Sequence, residues 1–171
     1  MKKERAIPLV VGFALALCLA GCGEDPAQET EALSTFTAEQ VGDLFCDRVL
    51  SDEIYMDTLK FEFANGSYVE DGLYQVDASF PGEPNAGSLS VYTDDSGAVT
   101  KAVLTGRVQL VACMEELFFS LGLPSDFYDY VSSTSVADLG EEQSWERDGI
   151  SVHYECSEDG YNQELSVFVA Q

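Results

Sequence analysis

Cys156 and His153 stand three residues apart. A thiol beside an imidazole is the usual arrangement for nucleophilic catalysis. The surrounding pattern argues against it here. Ile150, Val152, Tyr154 and Cys156 alternate with polar residues as one strand does. Residues three apart on a strand point to opposite faces. Cys156 is therefore expected to face inward with Tyr154, and His153 outward. His153 is the single histidine, so zinc lacks a ligand set. No Gly-x-Ser-x-Gly elbow, His-Glu-x-x-His or phosphate-cradling glycine loop occurs. No catalytic residue, metal or cofactor is assigned.

Carboxylates are plentiful. Glu115 and Glu116 fall mostly away from the apolar stripe of an expected helix, where solvated charge is the ordinary finding. Asp94-Asp95-Ser96-Gly97 and Glu158-Asp159-Gly160 could hold calcium weakly. Neither has the ligand spacing of an EF-hand loop, and hairpin turns use Asp and Gly for backbone reasons alone. A second candidate is aromatic. Phe127, Tyr128 and Tyr130 lie between and beside Asp126 and Asp129, close after Pro124. An acidic–aromatic loop of this kind could grip a basic partner or a sugar, or the rings could pack beneath the sheet.

Elements must position these groups. Thr37-Ala-Glu-Gln40 fits a capping box, in which hydroxyl and carboxamide satisfy each other's free amides. Val41, Leu44, Phe45 and Val49 then repeat at three and four, which marks one buried helix face. Ser51 or Asp52 could cap a further short turn. Leu59, Phe61 and Phe63 alternate as a strand, and Asn65-Gly66 reads as a hairpin turn. Tyr74, Val76, Ala78 and Phe80 alternate next, followed by a loop over 81–87. Leu89 and Val91 form a strand, Asp95-Ser96-Gly97 turns, and Val99 to Leu104 returns. A second helix is expected over 107–121, with Leu110, Val111, Met114, Leu117, Phe118 and Leu121 on its buried face and Gly122 and Pro124 ending it. Another helical turn follows over 125–131. The strand through Ile150 and one through Leu165, Val167 and Val169 close the chain.

The two halves look alike. Asp71-Gly72-Leu73 opens a strand as Asp148-Gly149-Ile150 does, and Leu89-Ser90-Val91-Tyr92 matches Leu165-Ser166-Val167-Phe168. Similar matches at nearly equal spacing suggest a duplicated helix-plus-hairpin unit. The alternation after Leu73 is one residue out of phase with that after Ile150, which a bulge or chance could produce. The fold class expected is α+β: two helices packed on one face of an antiparallel sheet. In outline this resembles small secreted inhibitor and lipoprotein domains built from repeated helix-and-sheet units, a likeness of fold with no motif that fixes a family.

The N-terminus has the three parts of an export signal. Lys2, Lys3 and Arg5 make a positive start, Ala6 to Ala20 is uncharged and mostly apolar, and small residues close it. Leu19-Ala20-Gly21-Cys22 resembles the lipobox of bacterial lipoproteins. That resemblance implies cleavage between Gly21 and Cys22 and a diacylglyceryl group on the Cys22 thiol. A membrane span needs about 20 apolar residues, and this run is shorter and interrupted by Pro8 and Gly12. Residues 1–21 are thus read as a signal peptide, 22–34 as an acidic flexible tether, and 35–171 as one α+β domain at the extracytoplasmic face of the cell membrane. The implied export places Cys46, Cys113 and Cys156 where disulfides can form. Cys46 and Cys113 sit on the flanks of the two helices, and the pair expected to bridge is Cys46–Cys113, with Cys156 buried and free. Three reduced thiols are the alternative.

Charge bounds the partners. The whole chain carries 31 acidic and 8 basic residues, a net charge of −23. Without residues 1–21, five bases (Arg48, Lys60, Lys101, Arg107 and Arg147) face 30 acids, which makes −25. Such a surface repels nucleic-acid phosphates. It attracts a cationic protein, or serves solubility alone. The function expected is a lipid-anchored, non-catalytic binding or interaction module. The alternative is an acidic inhibitor or immunity-type lipoprotein that blocks a cationic extracellular enzyme. An enzyme is the reading with least support.

Overall fold

The first helix, α1 (Ala38–Ser51), starts on the capping box. Gln40 N donates to Thr37 Oγ1 (3.3 Å), and Thr37 N donates to Gln40 Oε1 (3.0 Å). Its buried face runs Ala38, Val41, Gly42, Phe45 and Val49. The stripe is rotated toward the two small residues, so Leu44 is 37% exposed rather than buried. Close approach explains the choice: a Cβ on Gly42 would lie 2.6 Å from the Tyr74 ring. The structure is a computed structural model and describes residues 32–134, 142–157 and 162–170.

After a short helix α2 (Glu53–Thr58) come β1 (Glu62–Phe63), β2 (Ser67–Glu70), β3 (Leu73–Phe80), β4 (Glu83–Thr93) and β5 (Val99–Gly106). Three helices follow, α3 (Val108–Val111), α4 (Met114–Ser120) and α5 (Asp126–Thr134), then β6 (Gln143–Arg147), β7 (Ile150–Cys156) and β8 (Gln163–Val169). The class is α+β. One eight-stranded sheet, antiparallel at every pairing, has the order β1-β3-β4-β5-β8-β7-β6, with β2 also on β3.

Four local expectations are corrected. Asn65-Gly66 is no hairpin turn, because β1 and β2 both pair with β3 and form one interrupted edge. Gly66 lies there because the Tyr74 hydroxyl occupies the space a Cβ would need. The span 81–87 is mostly strand. Pro84 is tolerated because it falls in the irregularity between the Glu83 and Gly87 pairs with β3 and beyond the Gly87 end of the ladder with β5, where no amide is required of it. The helix expected over 107–121 is two helices, broken where Cys113 takes φ −78°, ψ 23°. Its end is as expected: Gly122 (φ 76°) and Leu123 donate to Phe119 O and Phe118 O, a Schellman motif. The edge strand β6 carries no apolar alternation, so nothing in its pattern announced it.

One sheet face builds the core. Register places Tyr74, Val91, Ala102, Val167 and Val152 in one cross-strand row, and Val76, Leu89, Leu104, Leu165 and Tyr154 in the next. The same buried cluster holds Val41, Phe45, Val49, Leu110, Val111, Leu117, Phe118 and Leu121. Turns of two residues join β2 to β3 at Asp71-Gly72 and β6 to β7 at Asp148-Gly149. The phase difference between the halves has a simple origin. Val76, four residues past Gly72, is opposite Leu89, whereas Tyr154, five past Gly149, is opposite Leu165. The second strand is one residue longer between its turn and that row, and the β2–β3 ladder shifts register between Tyr68 and Glu70, opposite Leu73 and Tyr74, where a bulge was one of the expected explanations.

Candidate functional site

His153 and Cys156 lie on opposite faces, as strand alternation requires. His153 pairs in register with Ser166 on the outer face, and Cys156 with Gln163 on the core side. The imidazole Nε2 lies 2.9 Å from Glu142 Oε1, while the Cys156 thiol contacts Ser157 O at 3.5 Å. The two groups cannot act on one substrate atom.

Glu116 corrects the expectation of a solvated charge. It is buried, and its carboxylate pairs with the Arg48 guanidinium across α1 and α4. Arg48 in turn stacks over the Phe119 ring at 4.3 Å. A buried carboxylate needs such a partner, so the pair fastens the helices. The Asp94 loop is self-contained as well. Asp94 Oδ1 accepts from Ser96 N, Ser96 Oγ and Ala98 N at 2.6 to 3.0 Å. These bonds, Ser96 first, hold the Asp94 carboxyl below its ordinary value. Its lone pairs serve the turn. The second acidic loop, Glu158-Asp159-Gly160, lies outside the described residues, as do residues 1–31 with Cys22; the end of the expected tether is corrected, since Leu33 and Ser34 are buried and Leu33 N donates to Val99 O at 2.7 Å.

The aromatic loop is corrected too. Its residues form helix α5, and Phe127 is 2% exposed, edge-on to Phe118 at 5.3 Å. Tyr130 donates its hydroxyl to Glu146 O at 3.1 Å. Arg147 donates to Asp126 Oδ2 at 2.7 Å and lies over the Tyr130 ring. Asp126 and Tyr130 tie α5 to β6, Phe127 packs against α4, and Tyr128 is half-buried. Cys46, Cys113 and Cys156 are all free thiols, so the Cys46–Cys113 bridge is not formed; Cys113 is buried, whereas Cys46 and, against expectation, Cys156 are half-buried. Burial, reinforced by Asp43 and Asp47, pushes the Cys46 thiol up to about 12. Burial and then Glu116 do the same to Cys113, also to about 12. Thiols with so little thiolate at neutral pH are poor nucleophiles.

What the sequence reading passed over is the second face of the sheet. Register puts Leu73, Tyr92, Lys101, Phe168 and Ser151 in one row there, Ser90, Val103, Ser166 and His153 in the next, and Asp77, Ser88, Thr105, Glu164 and Glu155 in a third. None of its apolar members, Leu73, Tyr92, Val103 or Phe168, belongs to the core cluster. The middle row is sunken: Val103 is 5% and Ser166 3% exposed. Along β8 Ser166 lies between the longer Glu164 and Phe168, and along β5 Val103 follows the longer Lys101. Lys101 stands between two rings, its Nζ 5.7 Å from the Tyr92 centroid. A signal for this face was present. The matched Leu-Ser-Val-Tyr and Leu-Ser-Val-Phe segments place serine and ring on the outer side of both strands that flank β5.

Among the described residues no helix is long and apolar enough to cross a membrane, and no group of three or more His, Cys, Asp or Glu is placed to hold a metal. Compared with known proteins, the chain matches no family model, no curated protein and no solved structure.

Proposed function

We propose that the chain is an exported lipoprotein whose folded domain is a non-catalytic binding module, held at the extracytoplasmic face of the cell membrane by lipid on Cys22. The N-terminal positive start, the apolar run and Leu19-Ala20-Gly21-Cys22 support the anchor. Two acyl chains on one residue make binding stable rather than transient.

The observation that carries the binding reading is the unmatched acid. Thirty acids accompany five bases beyond residue 21. Five bases neutralise at most five of these acids, and ion pairs to Glu83, Glu116, Asp126 and Asp148, with His153 to Glu142, are seen among the described residues. Carboxylates left over in such number attract a cationic protein and repel nucleic acid and anionic lipid. An acidic inhibitor or immunity-type lipoprotein acting on a cationic extracellular enzyme is the narrower form of the same reading.

The finer architecture belongs to this proposal: α1 and the α3–α4 segment share one sheet face as the helices of a duplicated helix-plus-hairpin unit. Gly42 against Tyr74, and Leu110 beside Gly87, support the shared face. The order β2-β3-β4 on one side of β5 and β6-β7-β8 on the other supports the duplication.

Two measurements test the reading. Cys22→Ser should abolish fatty-acid labelling and block cleavage at Gly21; continued labelling would refute the anchor. Affinity for a basic protein should fall at least tenfold from 20 to 150 mM salt, because exposed charges are screened beyond about 8 Å at the higher concentration. Salt-independent binding would refute the electrostatic partner.

A further inference from the structure

We propose that the outer face of the sheet, centred on β4, β5 and β8, is the surface on which the cationic partner docks. This rests on the basic-partner reading above and adds the place.

The face has three strips of different character. One carries Leu73, Tyr92 and Phe168, with the Lys101 ammonium held 5.7 Å from the Tyr92 ring centroid. The second is the row of Ser90, Val103 and Ser166, of which Val103 and Ser166 are buried. The third presents Asp77, Glu164 and Glu155. Their local bonds leave their charge unneutralised. Asp77 accepts from the Gln75 carboxamide at 2.6 Å and Glu164 from the Ser166 hydroxyl at 3.0 Å, and among the described residues none of the three has an ion pair. Five strands about 4.8 Å apart and five residues at about 3.4 Å give a projected area on the order of 400 Å². That is about half of the roughly 800 Å² each partner contributes to a standard interface, the size of a small, salt-sensitive contact.

Charge selects the occupant. The segment 23–31 brings Glu24, Asp25, Glu29 and Glu31 and no base, so its charge disfavours the acidic strip. A second copy carries the same excess of acid and is repelled likewise. A protein segment with Lys or Arg beside apolar side chains satisfies both outer strips at once: cations on Asp77, Glu155 and Glu164, and apolar groups on the rings of Tyr92 and Phe168, which make large rigid contacts.

The test compares two variants that each remove three charges. Asp77→Asn/Glu155→Gln/Glu164→Gln strips the face. Asp43→Asn/Asp47→Asn/Asp57→Asn strips exposed acids of α1 and α2. Full-length chain in detergent is titrated with lysozyme and, separately, with a synthetic lysine-rich peptide containing leucine and tyrosine, at 20 and 150 mM salt. Thermal melts establish that both variants fold. The face variant should lose at least tenfold in affinity for either probe and the helix variant less than threefold. Bound probe should slow amide exchange in 73–77, 88–92 and 164–168. Losses within threefold of each other, or protection centred on 43–57, would overturn the docking face while leaving the basic partner standing. If unaltered chain binds neither probe in a salt-sensitive way, the basic-partner reading falls, and the docking face with it.

Discussion

At the scale of single residues, context decides what a side chain does. Phe127 and Tyr128 are neighbours of similar type, yet one fills the core against Phe118 and the other is half-buried. Phe127→Ala should cost about 3–5 kcal/mol, the range for emptying a buried ring site, and Tyr128→Ala markedly less. Denaturant titration of both variants measures it; equal losses would contradict the placement of Phe127. The buried thiols make a second prediction. Cys46 and Cys113 titrate near 12 in the fold, against about 8.5 when unfolded. Their folded values are raised, so their contribution is fully present below the unfolded value and is lost as pH rises toward 12. Melting temperature should therefore hold from pH 7 to 8 and fall between about 8.5 and 12. Replacing both by Ala should flatten that fall, and a fall as steep in the double variant would exclude the thiols as its cause.

Elements depend on how closely their backbones approach. Gly87 and Gly106 face each other across β4 and β5, each in a left-handed conformation (φ 141° and 149°), and a Cβ on either would overlap backbone of the neighbouring strand. Gly97 is also left-handed (φ 85°), but nothing lies within 4 Å of its Cβ position. Gly97→Ala should cost only the conformational strain, about 1–2 kcal/mol. Gly106→Ala should cost more, since strands must separate to admit the methyl. Comparison of their melting temperatures decides it, and a Gly106 variant as stable as the Gly97 variant would contradict the close approach. The same pairing logic accounts for the two-part edge of β1 and β2: both segments follow β3, and Asn65-Gly66 merely joins them.

The whole molecule is dominated by its charge. At −23, self-repulsion opposes the compact state, and added salt screens it. Raising salt from 20 to 500 mM should stabilise the protein on the order of 1 kcal/mol, or about 2–4 °C in melting temperature for a chain of this length. A fall instead would mean that the ion pairs Arg48–Glu116 and Arg147–Asp126 outweigh the repulsion. Repulsion and docking share a cause, because carboxylates that destabilise the free protein are those a cationic partner would neutralise.

Local chemistry was legible from sequence by itself: the capping box at Thr37 and Gln40, the apolar periods, the glycine that ends α4, and the opposed directions of His153 and Cys156. Each depends on neighbours within about four residues, where helix and strand geometry is uniform. The proposed lipobox at Cys22 is an inference of the same local kind, since Leu19-Ala20-Gly21-Cys22 is a linear pattern. Only tertiary structure decided which side chains those elements cover. Phe127 and Glu116 are buried by contact with distant segments, through Phe118 for the first and Arg48 for the second. Asn65-Gly66 favours a turn locally, but pairing of both flanking segments with β3 leaves no hairpin to close. The outer face arises in the same way, since Tyr92, Lys101 and Phe168 become neighbours only when β4, β5 and β8 align. Register is a property of paired strands, and no single strand's pattern contains it.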